Sequence, residues 1–447
     1  MDMEPTDLVP DPQTQMGAFG RFPPELLIEI FGVCCTEQSS ILSSNAVCIS
    51  HVCALWRSLA LSSPLLWTSF SLGPKKLSKQ GFSAVAEEVI TRLLRLHLER
   101  SQSCLLSFEA DFSITSSSMH ADAVALNLLS LLVCHSQRWE RVKLAISPAL
   151  EPVYSTLRGR LPHLTSLEFY PFGFTAYQSS EPDFLETAPK LERLVIGNYL
   201  PQDVPVPLHQ LTELHLGAAV TWDLMYFLSR GCSPRLRTLV LNPYHPAKKP
   251  YQVAQVPVFP ELRRLVLVMR GFSRNPIVEV LNLLTAPSLT TLEFVCRREF
   301  QIPTSAIAAF LERSSTRLAE LHITFKAKIL VPQLLRTLCT LPSVTQFVIV
   351  AWGLEAFQCV EGILLGLHQS AVSILPNLRM LEIQAAAQPT SLLDLVRSRM
   401  HPIDGCAALE QLVLHDVPFQ ADALEGQGLT IFRLPRLKPS ESFRGIP

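Results

Sequence analysis

The sequence predicts an α/β chain: a small helical module near the start, then an irregular solenoid whose units each supply one strand and one helix. Three observations carry this. A phrase of the form L-x-x-L-x-L returns along most of the 447 residues, apolar helical fragments separate its copies, and two helical stripes precede the first copy. At this length a large core needs no disulfides. The 48% hydrophobic and 17% charged composition is too apolar for a disordered chain, so a continuous interior is expected.

Residues 1–19 are acidic and proline-bearing, and are expected to be disordered; they lack the basic start and apolar core of a secretory signal. The block FPPELLIEIF follows at residues 22–31. Pro24 suits the first helical position and Glu25 the first turn, and Leu26, Leu27, Ile30 and Phe31 recur with helical spacing. An amphipathic helix of about three turns is expected. Val52, Leu55, Trp56 and Leu59 form a second stripe at i, i+3, i+4 and i+7, ended by the Ser-Ser-Pro of residues 62–64. Residues 20–72 are therefore read as one module, with a linker helix in 73–101, from about Ala84 to Ser101. The longest apolar stretch, Ala123 to Cys134, is too short for a bilayer and carries Asn127 and Ser130; it predicts a buried helix.

The repeated phrase leads with Leu164, Leu191, Leu211, Leu236, Leu262, Leu289, Leu318, Val344, Leu378 and Leu409. Its final L-x-L alternates as a strand does, so the leucines share one face and the residue between them takes the other. Apolar fragments at residues 278–284, 306–312 and 391–397 supply helices between strands. One strand and one helix per unit is the leucine-rich-repeat plan, in which each unit buries its apolar face only by stacking on its neighbours. Two degenerate units near residues 103 and 138 begin the stack. The solenoid is placed at 102–416 and a C-terminal cap or tail at 417–447.

The segment from Phe22 to Leu72 resembles the F-box, whose pattern opens with a leucine-proline step and E-L-L-x-x-I-F. Here these are Phe22-Pro23, then Glu25-Leu26-Leu27 and Ile30-Phe31; the family's V-C-x-x-W-R-x-L element matches Val52-Cys53, Trp56-Arg57 and Leu59, closing with Pro64 and Trp67. Phe22 stands where leucine is usual, and the link between the helices is longer. The later region resembles the repeats of F-box proteins with leucine-rich repeats, without the Asn or Cys that usually follows the last strand leucine. The resemblance implies a three-helix F-box-like module followed by a leucine-rich-repeat solenoid. It also implies docking on the Skp adaptor of a cullin-based ubiquitin ligase while the repeats bind a protein substrate. Phe22, Pro23, Leu26, Leu27, Ile30, Val52, Trp56 and Trp67 are carried over as the docking set or its support.

With the strands lining the inner face, the middle residues Glu168, Val195, His215, Val240, Val266, Glu293, His322, Val348, Glu382 and Val413 form one row pointing into the concavity. Val240 and Val266, with Arg237 and Arg264 beside them, are expected to form an apolar patch rimmed by charge, suited to a protein substrate. The competing expectation is that these valines only fill strands.

The net charge of -1 with interspersed signs speaks against a nucleic acid or anionic membrane partner. Eleven scattered cysteines without paired CxxC units suit a reducing cytoplasmic or nuclear setting. No Walker A loop, GxGxxG, HExxH or GxSxG occurs, and neither His209 with His215 nor His51 with Cys53 completes a metal-ligand set. No catalysis and no cofactor are expected. A substrate receptor of a Skp-cullin-F-box ligase is the first reading; a repeat scaffold without a ligase, its N-terminal helices serving only as a cap, is the second.

Overall fold

The computed structural model describes residues 22–36, 39–73, 84–113, 119–171, 183–197, 206–220, 228, 233–245, 257–269, 276–296, 298, 302–369, 374–385, 389–400, 406–415, 417 and 429–435. The expected disordered segment 1–19 and most of the tail after 416 lie outside them.

Each L-x-x-L-x-L phrase becomes a strand, and each strand pairs in parallel with the next. The strands are β1 (Ser69–Leu72), β2 (Leu106–Phe112), β3 (Trp139–Ile146), β4 (Ser166–Pro171), β5 (Arg193–Ile196), β6 (Glu213–Val220) and β7 (Thr238–His245). They continue through β8 (Arg264–Met269), β9 (Thr291–Cys296), β10 (Glu320–Phe325), β11 (Gln346–Ala351), β12 (Met380–Gln384), β13 (Gln411–His415) and β14 (Thr430–Leu434). They lie in sequence order in one 14-stranded sheet. Strictly sequential parallel pairing is what a solenoid requires, since every unit meets only its neighbours. All ten leading residues of the phrase are at most 3% exposed, so the leucine face of every strand joins one continuous core.

Both boundaries of the stack differ from the expected ones. Ser69 to Leu72 pair with Ser107 to Ala110, so the sheet starts inside the segment read as the N-terminal module. The helix α4 (Ala84–Arg100) is then the crossover from β1 to β2 instead of a linker. At the far end β14 adds a strand beyond residue 416. Neither terminal strand carries the full phrase: β1 reads SFSL and β14 TIFRL.

The crossovers differ in what fills them. Between Leu191 and Leu211 only a short 3-10 turn, Leu208–Gln210, stands among the described residues, whereas the longer later units carry helices at Thr304–Ser314, Val331–Cys339, Leu354–Gln369 and Leu392–Met400. The position usually held by Asn or Cys carries Cys296 in β9, against the expectation that neither is kept, and apolar side chains in other units, among them Met269, Phe325 and Ala351, all buried. Arginines stitch successive units instead. Arg138 donates from Nε to the carbonyl of Cys104 at 2.8 Å and from Nη2 to Ser101 Oγ at 2.6 Å; Arg313 bonds the carbonyls of Leu281 and Leu284, satisfying the open end of the helix Pro276–Asn282.

The N-terminal module has three helices: α1 (Pro24–Thr36), α2 (Asn45–Ser50) and α3 (Ala54–Ser62). The link between the two expected stripes is thus a 3-10 turn at Ile41–Ser43 and a short helix. α3 starts after Val52, because Cys53 is extended and its Sγ accepts from the Trp56 amide, capping the helix there. Asn45 Nδ2 donates to the Cys34 carbonyl near the end of α1 at 2.5 Å.

Candidate protein-interaction surfaces

The apolar residues of the module fall into two sets. Leu27, Phe31 and Cys35, spaced by four along α1, turn inward and pack with Ala46, Ile49, Ala60, Leu66 and Trp67. Trp56 closes this core from α3, its ring 4.7 Å from that of Phe31. Trp67 is 1% exposed and donates from Nε1 to the Ala60 carbonyl at 2.8 Å. Burial among these groups pushes the Cys35 thiol up to about 11, with the neighbouring Cys34 adding to it. Of the eight residues carried over from the F-box pattern, Leu27 and Trp67 are therefore interior supports, and Trp56 is half-buried.

The second set points to solvent. Phe22 is 44% exposed, Leu26 46%, Ile30 48% and Val52 59%, and Pro23 is exposed with them. Leu26 and Ile30 continue at helical spacing to Val33, which is 72% exposed and which the sequence pattern passed over; its place seven residues after Leu26 was the available signal. An outward stripe on a helix whose inward stripe already fills a core is apolar area left over from folding.

The module is also fastened to the solenoid. The fully buried His97 of α4 places Nε2 2.9 Å from Ser44 Oγ and Nδ1 3.0 Å from the Leu93 carbonyl. Its ring lies 5.2 Å from Trp67 and 5.5 Å from Phe70. Phe70 stacks on Phe108 at 5.6 Å and Phe108 meets Trp139 edge-on at 5.2 Å, so an aromatic column runs from the module through the first three strands. The outward stripe takes no part in this seam.

On the inner face of the sheet the expected row is in register throughout: Glu168, Val195, His215, Val240, Val266, Glu293, His322, Val348, Glu382 and Val413 are successive cross-strand partners. The open apolar patch expected there is absent. Val240 and Val266 are 4% and 2% exposed and pack with Val268 and Val295 as a small second core; β-branched side chains on adjacent strands fill the space against one another. Arg264 stands beside them, bonding Glu293 at 2.6 Å with half its side chain in solvent. Arg237 does not join that row. It precedes Thr238, the partner of Arg264, and lies exposed with Glu261 at 3.9 Å.

Charge on this face is organised in ladders. Lys143 bonds Glu109 at 2.9 Å and lies 5.9 Å from the centre of the Tyr170 ring. Arg193 reaches Glu168 at 2.7 Å and Glu213 at 3.1 Å, and His215 reaches Glu213 at 2.7 Å. Hydrogen bonding from His215, with Arg193 alongside, brings the Glu213 carboxyl down to about 2. Burial, and then the neighbouring Glu168 carboxylate, push the Tyr170 phenol up. Burial holds His322 below its usual range although Glu293 and Glu320 pull it the other way. Glu382 bonds His415 at 2.9 Å. No group of three or more His, Cys, Asp or Glu among the described residues could hold a metal ion, and no described helix is long and apolar enough to cross a membrane.

No family model matches the chain, and no curated protein matches it. Among solved structures it resembles the crystal structure of the Rad7 and Elc1 complex in yeast, with a TM-score of 0.30 and 14% identity over 88% of this chain and 98% of that one. A likeness at that level decides neither fold nor function, which rest on the residues described above.

Proposed function

We propose that this chain is the substrate-recognition subunit of a Skp-cullin-F-box ubiquitin ligase, in which the N-terminal module docks on the Skp adaptor and the solenoid holds a protein substrate. The observation that carries the reading is the outward apolar stripe of α1, with Leu26 and Ile30 nearly half exposed, at positions that match the F-box pattern. Exposed apolar anchors on a small rigid module are the kind that dominate an interface. The chain itself does no chemistry in this reading; ubiquitin transfer belongs to other subunits, and the inner-face charges serve recognition and packing.

A second reading has an observation of its own. The seam through His97, Ser44 and Trp67 makes the module a cap for β1, as a repeat scaffold without a ligase would need. Capping accounts for the inward set and leaves the outward stripe without a use, which favours the ligase reading. Binding of purified Skp adaptor to the full chain, wild type against Ile30→Asp, separates the two. Ile30 is on the surface, so the variant should keep the wild-type melting temperature while losing about 2 kcal/mol or more of adaptor affinity. A folded wild-type chain that does not bind the adaptor would leave the cap reading standing alone.

A further inference from the structure

Four arginines stand at the N-terminal ends of two adjacent strands: Arg235 and Arg237 before β7, Arg263 before β8 and Arg264 at its start. We propose that this rim is a docking site for an acidic segment of a partner protein.

Parallel register sets the geometry. The Arg263 amide donates to the Arg237 carbonyl at 2.9 Å, so the two residues sit directly across from each other, about 4.8 Å apart along the sheet. Like charges in that relation destabilise a strand pair, and among the described residues the other charged cross-strand neighbours are of opposite sign. At the equivalent position four units later Arg379 is bonded to Glu410, an opposite-charge pair, and Lys143 and Arg193 on the inner face each hold carboxylates.

At the β7–β8 rim the charges do not balance. Arg237 has Glu261 only at 3.9 Å, both side chains more than half exposed. Arg264 is bonded to the buried Glu293 yet keeps half its side chain in solvent. Among the described residues Arg235 and Arg263 have no acidic partner, and both are exposed. Four guanidiniums at this edge thus have two carboxylate partners between them among the described residues, on a chain whose overall charge is -1, so the excess is local. Guanidinium forks are suited to carboxylates, which they engage two bonds at a time. Successive arginines across the rim are one strand spacing apart, about 4.8 Å, a step that long flexible guanidinium side chains can adjust to, so an acidic segment crossing the rim can meet more than one of them.

This docking rests on the part of the functional reading in which the solenoid holds a protein. It does not depend on adaptor binding, and its test contains no adaptor, so either can fail alone. The probe is a labelled oligoglutamate peptide titrated with the full-length chain and followed by fluorescence anisotropy. The variant Arg235→Glu with Arg263→Glu removes the two unpartnered cations; a charge-matched control, Arg158→Glu with Arg336→Glu, changes exposed arginines away from the rim. The expected result is binding that weakens with added salt, falls about tenfold in the rim variant and is retained in the control. Equal loss in both variants would overturn the site, as would no binding at low salt. So would displacement of the peptide by an equal concentration of inorganic phosphate, or tighter binding of a single-stranded oligonucleotide.

Discussion

At the seam between module and solenoid, His97 shows how one residue fixes a protonation state. The Leu93 carbonyl can only accept, so Nδ1 carries the hydrogen at 3.0 Å and Nε2 accepts from the Ser44 hydroxyl at 2.9 Å. That neutral tautomer satisfies both nitrogens, and burial lowers the folded-state pKa below its usual value of 6.5. A histidine with a lowered folded pKa binds its proton first in the unfolded chain. Stability is therefore full above about pH 6.5 and declines as the pH falls below it. Melting temperature against pH should slope downward on the acid side, and His97→Gln should flatten part of that slope; His322 and His135, also lowered by burial, keep their own share of it. An unchanged slope would mean that the seam opens before His97 titrates.

Units are joined to each other at the element scale by side chains reaching back to the preceding one. Arg399, 5% exposed, donates from the helix Leu392–Met400 to the carbonyls of Ile374 at 2.5 Å and Leu375 at 3.2 Å. Leu375 has φ +53, a conformation that costs a branched side chain energy and that these bonds help to hold. Arg399→Leu leaves the Ile374 carbonyl without this donor, while the Leu375 carbonyl keeps the Leu378 amide at 3.1 Å, and should cost about 1 to 3 kcal/mol, read as a lower denaturant midpoint; Arg336→Leu on the exposed face of the helix Val331–Cys339 should change little. Close approach matters as much as bonding. Gly366 faces Leu335 across two helices, where a Cβ would collide with the leucine, so the small residue sets how near the units can stack.

The whole molecule behaves as a stack, in which each strand between β1 and β14 is held by two neighbours and by one core that runs its length. Such an array unfolds by losing nearest-neighbour interfaces. Leu292 is fully buried in β9, opposite Leu265 and Leu321. Leu292→Ala should remove about 3 kcal/mol and raise amide exchange in β8 to β10 well before β2 or β13. Uniform loss of protection along the sheet would show instead that the solenoid unfolds as a single unit.

The sequence by itself determined the strands whose phrase is intact, because an apolar period of two with a leading leucine admits one facing, and the inner row could be read to the residue. It also determined that α1 is a helix with apolar residues at helical spacing, but the spacing puts Leu26, Leu27, Ile30 and Phe31 on one stripe, where the structure turns Leu27 and Phe31 inward and Leu26 and Ile30 outward. Tertiary structure decided the rest. The terminal strands β1 and β14 lack the phrase and exist because a neighbour offers hydrogen bonds. Val240 and Val266 are interior, packed with Val268 and Val295 from neighbouring positions of the sheet, a tertiary contact that no single-strand pattern records. Leu27 and Leu26 are consecutive leucines of equal hydrophobicity. Only the packing of α2, α3 and Trp67 on one side of α1 buries the first and leaves the second in water.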